Sequence, residues 1–111
     1  MPQKITVFRK IEKAAGTEGD EIIYKIPGGK IGRFGTFNVA FPSGTADELE
    51  ISFYRGLEKI VPTDGVLVGD SVNYEIEEIE EYGTGAEIII HWKNTGTASR
   101  KTYILLEGEL I

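Results

Sequence analysis

The chain has 111 residues, no cysteine, one histidine and a formal net charge of −6, a length that suits one domain over residues 1–111. Without cysteine, disulfides, thiolate chemistry and Cys-based zinc sites are excluded, and a lone histidine disfavours a transition-metal site built from protein ligands. The acidic balance argues against a nucleic-acid partner, because phosphates need a surface rich in Lys and Arg.

Lys4–Arg9 (KITVFR) alternates apolar and polar residues and predicts a first strand at a sheet edge. Lys10–Ala15 (KIEKAA) has the one helical flavour in the chain, and Gly16 stops it within about two turns. GTEGD at 16–20 predicts a turn, and Glu21–Ile26 a strand closed by Pro27-Gly28-Gly29. Ile31–Phe41 puts Phe37, Val39 and Phe41 on one face, with Gly32 and Gly35 marking a bulge or bend. PSGTAD at 42–47 is a loop.

Glu48–Tyr54 alternates most cleanly, with Leu49, Ile51 and Phe53 inward and Glu50, Ser52 and Tyr54 nearer solvent. Arg55-Gly56 predicts a tight hairpin that pairs Leu57–Val61 back on that strand, and PTDG at 62–65 turns again. Val72–Ile76 alternates in phase, and Ile79 breaks the phase, implying a bulge or turn near Glu77-Glu78.

Ala86–Gly96 (AEIIIHWKNTG) holds the densest apolar run together with the single Trp and His, and reads as a central strand. Alternation turns Ile88, Ile90 and Trp92 to the core and Ile89, His91 and Lys93 away from it. Asn94-Thr95-Gly96-Thr97 reverses the chain, and Thr102–Leu110 is expected to return alongside. About eight short strands separated by turns define an all-β, antiparallel β-sandwich, either a jelly roll or an Ig-like Greek key.

The residues disfavour enzymatic chemistry. Glu75, Glu77, Glu78, Glu80, Glu81 and Glu87, with Asp64 and Asp70 in turns, offer oxygen ligands but lack the spacing of a calcium loop, and read as a solvated face. His91 with Ser71 or Ser99 and Asp70 is the best triad that can be assembled, and no nucleophile elbow accompanies it. No catalytic residue, cofactor or metal site is expected. The aromatics Tyr24, Tyr54, Tyr74, Tyr82, Tyr103 and Trp92 do not fall into one stripe, and Tyr54 is the one expected to project outward as a ligand contact. Ile23, Ile89, Ile104 and Leu106 fall opposite the expected core residues of their strands, which predicts either an apolar surface buried in a homo-oligomer or a face that the second sheet or a loop covers.

The amino terminus has no apolar core of a signal peptide, and no run approaches the ~20 residues of a membrane helix, so cytoplasmic synthesis without membrane insertion is expected. Few Gln, Asn and Met residues among many charged ones lean toward a thermophilic source.

From Glu48 onward, the succession LEISFYRG at 49–56, VPTDG at 61–65, GDSV at 69–72, IIIHWKNTGTAS at 88–99 and YILLEGEL at 103–110 resembles small β-sandwich accessory proteins of phage-like and archaeal virus particles. WKNTGTAS also looks like a turn found in Ig-like surface modules. The resemblance implies a structural role through contacts with itself and other particle proteins, on an assembled virion, and carries over no site residue. The alternative is a carbohydrate- or cell-surface-binding module.

Overall fold

The computed structural model describes residues 2–111 and contains eight strands. They are β1 (Gln3–Lys13), β2 (Glu18–Lys25), β3 (Gly32–Phe41), β4 (Leu49–Arg55), β5 (Glu58–Val61), β6 (Val72–Tyr82), β7 (Glu87–Asn94) and β8 (Arg100–Leu110). The first sheet has the order β1-β8-β3-β6, the second β2-β7-β4-β5. All pairs are antiparallel.

The pairs β1·β8, β2·β7, β3·β6 and β4·β5 are those of one long hairpin, with its tip at Gly56-Leu57. Wrapping that hairpin on itself adds β3·β8 and β4·β7 and yields two sheets of four, the jelly-roll arrangement. The β-sandwich read from the sequence is therefore present. Of its two forms, the strand order selects the jelly roll.

The inner faces meet in a core of Val, Ile, Leu, Phe and Tyr side chains. Phe37 of the first sheet meets Phe53 of the second edge-on, with centroids 5.1 Å apart, and Phe34 meets Tyr24 in the same way at 5.7 Å. Such edge-to-face pairs add directional preference to simple burial. Tyr82 is wholly buried, and its hydroxyl has no hydrogen-bond partner among the described residues. Burial pushes its phenol well above the usual value, so the ring stays neutral.

Several expectations are corrected. Lys10–Ala15 is not helical: β1 runs on to Lys13, because Ile11 is buried opposite Thr102 of β8 and pairing overrides weak local propensity. The turn expected at 16–20 is shorter, and β2 already begins at Glu18. Ser52, expected near solvent, is buried, although it alternates with the core residues Ile51 and Phe53 and pairs with His91.

Thr102–Leu110 does not return beside the central strand: β7 and β8 lie in different sheets, so Asn94–Ser99 is a crossover. Asn94 organises it. This buried residue donates through Nδ2 to the carbonyls of Lys13 (3.0 Å) and Ala98 (2.9 Å) and accepts from the Gly96 N–H at 2.9 Å. Alongside, Arg100 donates from Nε and Nη2 to Glu48 Oε1 at 3.0 and 2.7 Å.

The phase break at Ile79 is a register shift rather than a turn. Gly35 stands opposite Glu78 and Ile79, β6 continues to Tyr82, and Ile79 faces outward. Asp70 holds the β3–β4 loop by accepting from the N–H groups of Gly44 (2.8 Å) and Thr45 (3.1 Å).

Candidate functional site

Ile23, Ile104 and Leu106, expected on a free surface, lie in the core at 2%, 0% and 0% exposure. The reason is register. Ile104 and Leu106 pair with Val39 and Phe37, and residues opposite one another on neighbouring strands point the same way. Ile23 is the extra residue of a bulge between Ile22 and Tyr24, which turns it inward and leaves Ile22 outside. Sequence alternation assigns these faces in reverse because it cannot see bulges or partners.

Ile89 and Tyr54 do come together. They are cross-strand partners on the outer face of the second sheet, and Ile22 stands opposite Ile89 on its other side. Ile22 is 54% exposed, and Leu57 at the hairpin tip is fully exposed. A shallow depression of about 250 Å³ lies between Tyr54, Ile89, His91, Asp20, Gly56 and Leu57. Neither Ile22 nor Leu57 stands out from sequence as a surface residue. Leu57 has a legible signal all the same, an apolar residue in a two-residue hairpin turn, where nothing can cover it.

His91 borders this depression with its ring 6.2 Å from that of Tyr54. Its Nδ1 lies 2.7 Å from Asp20 Oδ1 and its Nε2 2.9 Å from Glu18 Oε2. Partial burial pulls its pKa down, but hydrogen bonds to Asp20 and Glu18 outweigh this and the net shift is upward. The imidazolium can donate to both carboxylates at once; a neutral ring donates to only one. The triad with Ser71 or Ser99 and Asp70 is not assembled: His91 engages Asp20 and Glu18, Asp70 the β3–β4 loop, and Ser99 the Lys13 carbonyl at 3.3 Å.

The aromatics named from sequence are scattered. Tyr82 is buried, Tyr24 and Tyr74 pack on the core, and Trp92 is half-buried with Lys13 Nζ 3.8 Å from its ring centroid. Tyr103 lies on the outer face of the first sheet, stacked on Phe8 with centroids 6.2 Å apart. The glutamates of β6 divide by alternation. Glu75, Glu77 and Glu81 face out, whereas Glu80 turns inward to Arg55, which donates from Nη1 at 3.2 Å. Among the described residues, no group of three or more His, Asp or Glu side chains is placed to hold a metal ion, and no helix is long and apolar enough to cross a membrane.

The outer face of the first sheet is the second exposed apolar area. Phe8 is 57% and Ile79 74% exposed. Leu105, Tyr103 and Ala40 continue the area from Phe8 across β8 and β3. Depressions of about 220 Å³ and 320 Å³ lie on this face.

The sequence matches no protein-family model and no curated protein. The structure is similar to a chain from the acidic stable capsid structure of Helicobacter pylori bacteriophage KHP30, with a TM-score of 0.59 and 14% identity over 100% of this chain and 94% of that one. At that identity the likeness is one of fold, and at that level the resemblance to virion β-sandwich proteins is upheld. A chain of the disulfide-linked pili of Bacillus endospore appendages is similar at a TM-score of 0.38 and 11% identity, over 97% of this chain and 89% of that one. A chain of infectious bursal disease virus Gx strain is similar at 0.39 and 14% identity, over 99% of this chain and 31% of that one. Likenesses as distant as these two say nothing about function.

Proposed function

We propose that this chain is a non-enzymatic structural protein that associates with itself through protein–protein contacts, as an accessory component of a virion or virus-like particle. The observation that carries this reading is the pair of apolar areas on the two outer faces. Phe8 and Ile79 crown one, and Ile22 and Leu57 the other. Exposed apolar area of this kind marks interaction surfaces, and a sandwich that has already filled its core has no internal use for it. The full-length fold likeness to a phage capsid chain supports the same reading.

The test is native mass by light scattering after size exclusion, across a range of concentrations. Self-association into a defined oligomer is expected. A monomer at every concentration would refute the self-assembly at the centre of this reading. A second reading, sugar binding in the second-sheet depression, is favoured by Tyr54 and Asp20 lining it. Glycan-dependent resonance shifts confined to Tyr54 and His91 would support it.

A further inference from the structure

We infer that β1 of one copy adds edge to edge to β6 of the next, so that the first sheets of neighbouring copies join into one continuous antiparallel sheet. This contact rests on the self-associating reading above and names the surface through which copies join.

The two sheets treat their edges differently. An edge strand presents a row of unpaired N–H and C=O groups, and short strands, bulges and Pro blunt it. The second sheet uses all three: β5 has four residues and runs into Pro62, and β2 is bulged between Ile22 and Tyr24. The edges of the first sheet are long and regular. β1 and β6 have eleven residues each, without Gly or Pro. β1 pairs with β8 without a register shift, and the shift beside Gly35 leaves the alternation of β6 unbroken from Val72 to Tyr82.

Charge protects each of these edges, but only against its own kind. β1 carries four cations and one glutamate, and β6 carries five glutamates and no cation. Pairing either strand with itself sets like charges side by side, whereas β1 beside β6 sets opposite ones. Direction agrees as well. Pairing is antiparallel from β1 through β8 and β3 to β6, so a head-to-tail neighbour presents its β6 antiparallel to β1.

The backbone and the side chains select the same phase. The carbonyl of Phe8 accepts from Arg9 Nη1 at 2.9 Å and that of Glu81 from Arg55 Nη1 at 2.7 Å, as groups pointing away from the ladder do. Phe8 and Ile79 also face outward, at 57% and 74% exposure. Even positions of β1 therefore meet odd positions of β6. Setting Phe8 on Ile79 of the neighbour joins the two large apolar side chains that these strands expose, and places residues 5–12 against residues 82–75. The same register sets Ile11 on Ile76, Arg9 on Glu78 and Lys10 on Glu77.

Own-chain ion pairs leave this match available. Among the described residues Arg9, Glu77 and Glu78 form none. Lys10 has only Glu12, 3.6 Å away and half-exposed like itself, and such a surface pair is weak. Glu80 and Glu81 keep Arg55 and Arg33 and face the uncharged Val7 and Thr6. Glu12 against Glu75 is the one like-charged pair, and Lys10 stands diagonal to that Glu75. A shift of two residues either way sets Phe8 on Glu77 or Glu81 instead. In strand addition of this kind main-chain hydrogen bonds supply affinity and alternate side chains supply specificity. Because the two edges differ, the contact is heterologous, and copies join in a ring or a row.

Two charge-reversed chains test this at low ionic strength, where exposed charges are least screened. One carries Arg9→Glu and Lys10→Glu, the other Glu77→Lys and Glu78→Lys, and native mass is read by light scattering. Each alone sets like charges opposite one another at both positions and is expected to lose at least about tenfold in self-association. In an equimolar mixture every edge meets an unlike one and the assembled mass returns, which also shows that both chains are folded. Cysteines, absent from the natural chain, read the register. A Thr6→Cys chain oxidised with a Glu81→Cys chain is expected to cross-link to it, and with a Glu75→Cys chain is not. An oligomeric wild type whose reversed chains keep its mass, whose mixture does not regain it, or whose cross-link forms at position 75 instead overturns this contact and leaves the wider reading standing. A wild type that is monomeric at every concentration overturns both.

Discussion

Gly108 lies in β8 opposite Phe34 of β3, and the Phe34 ring occupies the space that a side chain there would need. A Cβ added at Gly108 would stand 2.4 Å from Phe34 Cδ1 and 2.5 Å from the Arg33 carbonyl oxygen. Neither gives way at small cost. The ring is wholly buried and wedged edge-on between Tyr24 and Tyr82, with centroids 5.7 and 5.6 Å away. In an unobstructed strand, Gly→Ala would stabilise by about 0.5–1 kcal/mol through reduced backbone freedom. Here overpacking of about 1–3 kcal/mol opposes it, at the upper end because a backbone atom is one of the obstacles. Gly108→Ala is therefore expected to lose about 1.5–2.5 kcal/mol net. At about 4 °C per kcal/mol for a domain of this size, Tm falls by roughly 6–10 °C.

Urea titration with calorimetry measures both quantities. The control is Gly83→Ala, whose Cβ meets nothing within 4 Å and which is expected to stay within about 0.5 kcal/mol of wild type. A second check is coupling: Phe34→Leu should cost less in the Gly108→Ala background than in wild type, because the shortened side chain vacates the contested space. If Gly108→Ala were as stable as Gly83→Ala, the close packing of the Phe34 ring on Gly108 would be refuted.

Asn94→Ala removes three hydrogen bonds at the crossover, among them those to the carbonyls of Lys13 and Ala98, so a loss of about 2–4 kcal/mol in urea titration is expected; a loss below about 1 kcal/mol would mean that Asn94 does not organise the crossover. Tyr82→Phe deletes a buried hydroxyl that has no partner among the described residues, so calorimetry should find it neutral or up to about 1 kcal/mol more stable, and a marked loss would reveal a hydrogen bond at that oxygen. His91 should titrate by NMR above its ordinary 6.5, and Asp20→Asn should lower it. Because the folded pKa is raised, the stabilisation is fully present below about pH 6.5 and is lost as pH rises through the folded value. The stability difference between wild type and His91→Gln should therefore narrow from about pH 6 to pH 8, and a gap that widens would refute the assignment.

Much of the fold is legible in the sequence because local chemistry and global structure agree. Leu49, Ile51 and Phe53 alternate in β4 and are all buried, as are Phe37, Val39 and Phe41 in β3. The break at Ile79 correctly points to an irregularity beside Gly35. Ile88 and Ile90 face the core as their alternation implies, and Ile89 and Tyr54, both outward by alternation, stand side by side in the structure.

Composition and period alone therefore determined that the chain is all-β, that its strands are antiparallel, and where most of its turns fall. They also excluded cysteine chemistry. Tertiary structure decided which sheet each strand joins, because the period of a strand is the same whichever neighbour it takes. That is why β8 is misplaced beside β7 by sequence although its own boundaries are legible. Tertiary structure also decided the facing of Ile23, Ile104 and Leu106. A bulge in β2 inserts one residue, and the pairing of β8 with Val39 and Phe37 sets its phase, and neither is encoded within the strand itself.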